Sequence, residues 1–343
     1  MAAGTATRHS VLVTHADEPI ARRIVKALVH DDRIGNVLGV GEGPAPRAFD
    51  RFIAETPSRF GYARVDLAKH RSANDFFHSK RFRDAHVDTM VHVPRHAARS
   101  EGRPVVSGLP VRTAEARMVL QHALEAGGVR TLIALGSAFV YRLEPGNANR
   151  LSEKSELNLD PELPAELRSW IDCDMIFHGE IGNDRLRVVL LRVPTVVASG
   201  GYVYWNPSLS GPPGPRPRPL GFDPMCPLVC DKDVAKAIQV AVHSASSGIY
   251  NVAGRESVPL SVLGEWTGRP GLPVPGPALG LLSGAARLLG REDWRATIDG
   301  AELRYGFTLD TRLVERELGF RPGYHVGLSQ AGDGRLRLET SPT

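Results

Sequence analysis

Apolar residues in the first half of the chain follow two alternating rhythms. Short apolar runs stand at 11–14, 36–40, 62–65, 87–93, 131–135 and 186–193, the last reading LRVVLLRV. Between them, at 20–28, 111–126 and 169–181, apolar positions recur every three or four residues. The runs predict buried strands and the longer period predicts helices. Their alternation predicts an α/β fold, a parallel sheet with helices on both faces. In 111–126 the spacing offers Ala114, Met118, Leu120 and Leu124 as the buried face, and Gly127-Gly128 stops the helix.

The texture changes after Pro194. Residues 199–224 are rich in Gly, Pro, Tyr and Trp and include PPGPRPRP at 212–219, which predicts extended polyproline II. Regular structure resumes with a helix from Asp231, a short strand at 248–252, a mixed segment at 260–290 and a closing element at 309–318. Beyond about 330 the chain reads as a polar tail.

Composition narrows the function classes. The net charge of +4 is spread along the chain with no basic block, which argues against nucleic acid as a partner. Arg outnumbers Lys by 36 to 6, a skew that fits a GC-rich, bacterial-type genome. The three cysteines, Cys173, Cys226 and Cys230, form no CxxC pair, which points to a reducing compartment and no zinc site. No apolar h-region precedes the first strand and no run reaches the ~18 residues of a membrane span, so the cytoplasm is the expected location.

Residues 11–28, VLVTHADEPIARRIVKAL, have the outline of the first β–α unit of a dinucleotide-binding fold. Such a turn carries three glycines, so that the backbone can approach a pyrophosphate at the helix N-terminus. His15, Glu18 and Ala21 stand at those positions. Asp17 before Glu18-Pro19 predicts a helix that caps itself with its own carboxylates and repels an incoming phosphate. After the second strand, where a ribose-binding Asp is common, there is Gly41, with Glu42 beside it as a substitute.

The collinear order of motifs resembles the extended short-chain dehydrogenase/reductase family, the NAD-dependent epimerases and dehydratases, through most of the chain. Asp66-Leu67 matches the pair that faces adenine, 136–141 (GSAFVY) the segment with the catalytic Ser, LLRVP at 190–194 a strand end, and LVCDKDVAKAI at 228–238 a helix start. Tyr250-Asn251-Val252 and ELGFRP at 317–322 match the late motifs. The resemblance implies a doubly wound, Rossmann-like sheet with a smaller C-terminal α/β lobe. The boundaries expected are 8–195 for the first domain, 196–328 for the lobe, interleaved with it, and 329–343 for the tail. It also implies a Tyr and a Lys four residues apart on one helix face, where the Lys lowers the Tyr pKa for proton transfer. None of the seven tyrosines has a Lys four residues later. The family-equivalent positions are Ser137, Trp170 for the Tyr and Asp174 for the Lys.

Both a cofactor turn and a catalytic pair are therefore altered. The expectation is a degenerate, catalytically impaired family member with no cofactor, acting as a binding, scaffold or regulatory module for a protein or small molecule, with a homodimer among the partners allowed. The alternative is an active NAD- or NADP-dependent oxidoreductase or epimerase on a nucleotide-sugar or sterol-like substrate, with non-standard cofactor contacts. Ser137 also reads as a small residue at a strand-to-loop turn, and His92 and the cysteines as packing. The expected contact surface is the 199–224 loop, with Tyr202, Tyr204, Trp205, Arg216 and Arg218, together with the apolar helix at 277–289, which also suits a dimer contact or a membrane surface.

Overall fold

The computed structural model describes residues 8–95, 99–100, 103–104, 109–198, 202–206, 209, 214–290, 298, 301–330 and 336–342. Its centre is a seven-stranded sheet. The strands in chain order are β1 (His9–Val13), β2 (Ile34–Gly41), β3 (Phe60–Arg64), β4 (Thr89–His92), β5 (Thr131–Ser137), β6 (Arg187–Val193) and β7 (Gly248–Asn251). They lie in the order β3-β2-β1-β4-β5-β6-β7, and every pairing is parallel.

Alternation along each strand builds two cores. Val11 and Val13 of β1 face the layer of α1 (Pro19–Val29) and α4 (Asp231–His243), with Ile24, Leu28, Val234 and Ile238. Leu12 points the other way, into the layer of α2 (Leu109–Glu125) and α3 (Ala165–His178), with Val119, Ala123 and Phe177. With helices on both faces the strands need apolar residues on both sides, so they read as unbroken apolar runs. Polar ties join α1 and the turn after it to α4: Arg23 pairs with Asp231 at 3.0 Å, and His243 and Gln239 hydrogen-bond Asp31 at 2.9 and 2.6 Å.

Three sequence expectations are corrected. On α2 the buried positions are Arg112, Glu115, Ala116, Val119, His122 and Ala123, while Ala114 is exposed and Met118, Leu120 and Leu124 are half-buried. The helix buries three ionisable residues that an apolar count passes over. The proline-rich segment is a strand within its described part: Arg216–Pro219 pairs in parallel with Gly271–Val274. The end of the chain is not a bare tail, because Leu336–Pro342 pairs antiparallel with Tyr324–Gln330.

The C-terminal lobe also holds a four-stranded sheet ordered Tyr202–Tyr204, Thr195–Ala198, Met225–Cys230, Ser257–Pro259. Helix α5 (Gly276–Leu288) touches the lobe along a narrow line, burying Leu279 and Ala286. Its outward side exposes Leu281 (77%) and Leu288 (89%), with Leu289 just beyond it exposed as well.

Candidate functional site

The strand order reverses between β1 and β4. In open α/β sheets ligands bind beyond the carboxyl ends of the strands at such a reversal. His15 follows β1, Glu42 follows β2, Arg95 lies three residues past β4, and α2 brings Arg112 and Glu115 over the same edge.

His15 sits at φ 47°, in the left-handed region that a turn glycine would occupy. Its ring is buried: Nδ1 lies 2.7 Å from the Val93 carbonyl and Nε2 lies 3.2 Å from Glu115 Oε1. A carbonyl and a carboxylate both favour a proton on the ring nitrogen they face, the first through a hydrogen bond and the second through an ionic contact. Burial works against the charged ring and the Glu115 carboxylate outweighs it, leaving the His15 pKa raised. Burial pushes Glu115 up, but His15 and Arg95 together hold its carboxyl down at about 2. Arg95 donates to Glu115 at 2.8 Å and, through its other terminal nitrogen, to Glu42. Beneath this chain of charges His92 meets Thr14 Oγ1 at 3.1 Å. Burial, then the His15 charge, push the His92 pKa down to about 3, so this second ring is neutral.

Helix α1 differs from its expected form. Glu18, not Asp17, is the N-cap, and it makes no side-chain capping bond; Pro19 occupies the first turn. The Glu18 pKa is raised, first by burial and also by Asp17. Asp17 turns away from the helix and accepts from the Gly43 N–H at 3.0 Å. Ala21 is fully buried in the α1 core face, so its methyl does not occupy the crevice. Asp66 meets Lys69 at 2.9 Å and accepts from the Ala68 N–H, and Leu67 is buried beside it.

The catalytic-helix positions are filled by packing and ion pairing. Trp170 is buried beneath the Arg112 guanidinium, 4.2 Å from the ring centroid, with Trp205 edge-on at 5.6 Å. Arg112 also donates to Ser169 Oγ at 2.6 Å. Asp174 takes a bidentate pair from Arg192 of β6, at 2.7 and 2.8 Å. Arg192 donates onward to the Tyr141 hydroxyl at 3.1 Å, and Tyr141 donates to Asn251 Oδ1 at 2.6 Å. Burial pushes the Tyr141 phenol up to about 12. Ser137 is fully buried at the end of β5, where its Oγ accepts from the Phe139 N–H at 3.2 Å and caps a short 3-10 turn.

Among the expected site residues, the fold brings His15, Glu18 and Glu42 to one edge, while Ser137, Trp170 and Asp174 are enclosed. Trp205 is also buried (5% exposed), which removes it from the expected contact surface. Arg216 is half-buried and Arg218 meets Asp223 at 3.4 Å. Residues 199–201, 207–208 and 210–213 of that loop and the side chains of Tyr202 and Tyr204 lie outside the described residues. Sequence reasoning missed Arg95, Arg112 and Glu115. Arg112 and Glu115, three apart on an apolar-periodic helix, were the available signal.

The parallel order of the sheet, with helices on both faces, defines a doubly wound, Rossmann-like fold. Among solved structures, the chain is similar to a dTDP-glucose 4,6-dehydratase of Streptomyces venezuelae with NAD and TYD bound, at 20% identity, 94% coverage of both chains and a TM-score of 0.62. The dTDP-glucose 4,6-dehydratase of Bacillus anthracis, in complex with NAD, aligns at 14% identity, 92% of both chains and a TM-score of 0.62. A short-chain dehydrogenase/reductase superfamily protein of Agrobacterium tumefaciens with bound NAD aligns at 15% identity, 92% of this chain and 93% of that one, with a TM-score of 0.61. No family model matches the chain. By sequence it is 25% identical over 321 residues, 91% of its length and 80% of theirs, to uncharacterized proteins of Mycobacterium bovis and Mycobacterium tuberculosis.

The expectation that the chain takes no cofactor is corrected: structures sharing this fold over nine-tenths of the chain hold NAD. The physical reason lies in the turn. Counting glycines measured side-chain bulk, whereas the backbone keeps the left-handed residue at His15 and an α1 N-terminus that no side chain caps. Uncapped first-turn N–H groups are donors for a phosphate, so the backbone fits the group although the flanking charges differ from those of a glycine turn. Among the described residues, no helix is long and apolar enough to cross a membrane.

Proposed function

We propose that this chain is an altered member of the extended short-chain dehydrogenase/reductase family that binds an NAD-type dinucleotide and works as a cytoplasmic binding or regulatory module, without the epimerase or dehydratase turnover of its relatives. The observation that carries this reading is the fate of the Lys position. Asp174 is consumed by Arg192 in a buried bidentate pair, with the two side chains 0% and 1% exposed. Asp174 brings no cation to the Lys position, and the phenol that Arg192 reaches is the buried Tyr141, whose pKa burial leaves raised. Trp170, in the Tyr position, has no proton to exchange near neutral pH and lies under Arg112.

NAD, when bound, supplies a hydride acceptor. The chain's own residues have binding roles. The first-turn N–H groups of α1 meet phosphate, and Asp66 and Leu67 flank the adenine end. The Arg95 bridge from Glu115 to Glu42 holds the crevice wall. Partner contact is assigned to the exposed leucines of α5, since large contiguous apolar exposure marks interaction surfaces.

Titration calorimetry with NAD and NADP, run beside a turnover screen of nucleotide sugars, tests the reading. Binding without turnover is expected. Turnover that disappears in Glu115→Gln would replace the module with an enzyme whose acid–base pair is His15–Glu115.

A further inference from the structure

The geometry points to a relocated sugar contact: Asp17, on the turn between β1 and α1, supplies the carboxylate that reads the adenosine ribose hydroxyls, doing from the first turn what an acidic side chain at the end of β2 would otherwise do. The inference rests on the reading that the chain binds an NAD-type dinucleotide. In folds of this strand order, an acidic residue about 20 positions past the turn bonds the ribose. Here that strand end is Gly41.

Space explains the glycine. A β-carbon at residue 41 would stand 2.6 Å from Asp17 Cγ and 2.6 Å from the Tyr62 hydroxyl oxygen, closer than real β-carbons come to other atoms. The Asp17 carboxylate therefore occupies the volume in which a side chain at 41 would begin. One hydrogen bond fixes it there, and a second holds the Gly43 peptide that supplies the donor. Asp17 Oδ2 accepts from the Gly43 N–H at 3.0 Å, and the Tyr62 hydroxyl donates to the Gly43 carbonyl at 2.9 Å. Asp17 Oδ1 accepts no hydrogen bond among the described residues and keeps its lone pairs for a ligand. The Tyr62 pKa is raised, by burial first and by the Asp17 charge second, as expected for a phenol held against a carboxylate.

Glu42, the acid next to Gly41 in the chain, is engaged elsewhere. Glu42 pairs with Arg95, and its carbonyl accepts from Arg64 Nε at 2.7 Å. The Asp17 carboxylate accepts from a 2′-hydroxyl and repels a 2′-phosphate, so the chain prefers NAD to NADP.

Two measurements on the full chain and four variants test this. In calorimetric titrations the parent binds NAD about tenfold or more tighter than NADP. Asp17→Ala brings the ratio near one, and Glu125→Ala, at the exposed far end of α2, leaves it unchanged. In thermal unfolding, Gly41→Asp lowers the midpoint because its side chain meets Asp17. The double variant Asp17→Gly/Gly41→Asp unfolds above Gly41→Asp and regains the NAD preference, since one carboxylate again fills one space. A preference that survives Asp17→Ala, equal or tighter NADP binding that assigns the edge to Arg64, or additive melting shifts would each overturn the inference. Binding of neither dinucleotide by the parent would instead fail the functional reading, and the sugar contact would fall with it.

Discussion

Asp174 and Arg192 face each other across α3 and β6 through two parallel hydrogen bonds of 2.7 and 2.8 Å, shut off from water. Arginine suits this place because its planar fork matches a carboxylate bidentately and it stays charged when buried. The pair also anchors Tyr141 and, through it, Asn251 of β7, so it ties the catalytic-helix position to the far edge of the sheet. Removing one partner leaves a buried charge uncompensated, which costs about 3–5 kcal/mol. Asp174→Ala should therefore destabilise the chain by about that amount in denaturant unfolding. Asp174→Lys, which sets a second buried cation against Arg192, should be worse still. A loss below about 1 kcal/mol for Asp174→Ala would show that the pair is peripheral to stability.

His15→Gly separates backbone strain from charge. Glycine relieves a left-handed residue worth about 1 kcal/mol but strips Glu115 of a buried partner, so the net change is destabilising by about 2–4 kcal/mol. Adding Glu115→Gln should recover part of the loss. Urea midpoints of the three variants check this, and a stabilised His15→Gly would mean that the ion pair contributes nothing.

Two of the buried histidines, His15 and His92, give opposite pH limbs. His15 has a folded pKa above its unfolded value of about 6.5, so its contribution is complete below that pH and is lost as pH rises through the folded value. His92, at about 3 when folded, makes the unfolded state bind more protons between about 3 and 6.5, so stability falls as pH drops through that window. Glu115, lowered to about 2, adds a further loss as pH falls from its unfolded value toward 2. Thermal midpoints should peak near pH 6.5. His92→Phe should flatten the acid limb and leave the alkaline limb intact, whereas a profile unchanged by His92→Phe would exclude its role.

Ser137→Ala should cost about 0.5–2 kcal/mol, the worth of a lost turn cap, and leave dinucleotide affinity within about twofold. Chemical unfolding and calorimetry on the same preparation give both numbers. A selective loss of affinity would return Ser137 to the ligand site.

The outward leucines of α5 are tested by Leu281→Ser/Leu288→Ser. Exposed substitutions of this kind stay within about 0.5 kcal/mol of the parent. Sedimentation should show weaker self-association, or an apolar dye should bind less, at unchanged melting temperature. No change in either would remove α5 from the contact surface.

Sequence periodicity alone carried the strands, α1, α3 and α4, because strands covered on both faces must be apolar throughout and helices on a sheet must repeat every three to four residues. It also located the altered positions, His15, Trp170 and Asp174, since they fall in segments whose order along the chain is fixed. What those side chains do was decided only by tertiary structure. Asp174 reads as an inverted charge until the fold brings in Arg192 from 18 residues away, and Asp17 reads as a helix cap until β2 arrives beside it. Arg95 carries no periodic signal, and the three-residue spacing of Arg112 and Glu115 puts them on one helix face without giving their partners, because buried polar groups are satisfied by residues distant in sequence, whereas a buried apolar residue announces itself by its neighbours' spacing. The glycine count misjudged the turn for a related reason. A motif records which side chains are absent, while a phosphate is met by backbone N–H groups whose direction depends on φ and ψ, and those were set when α1 packed on the sheet.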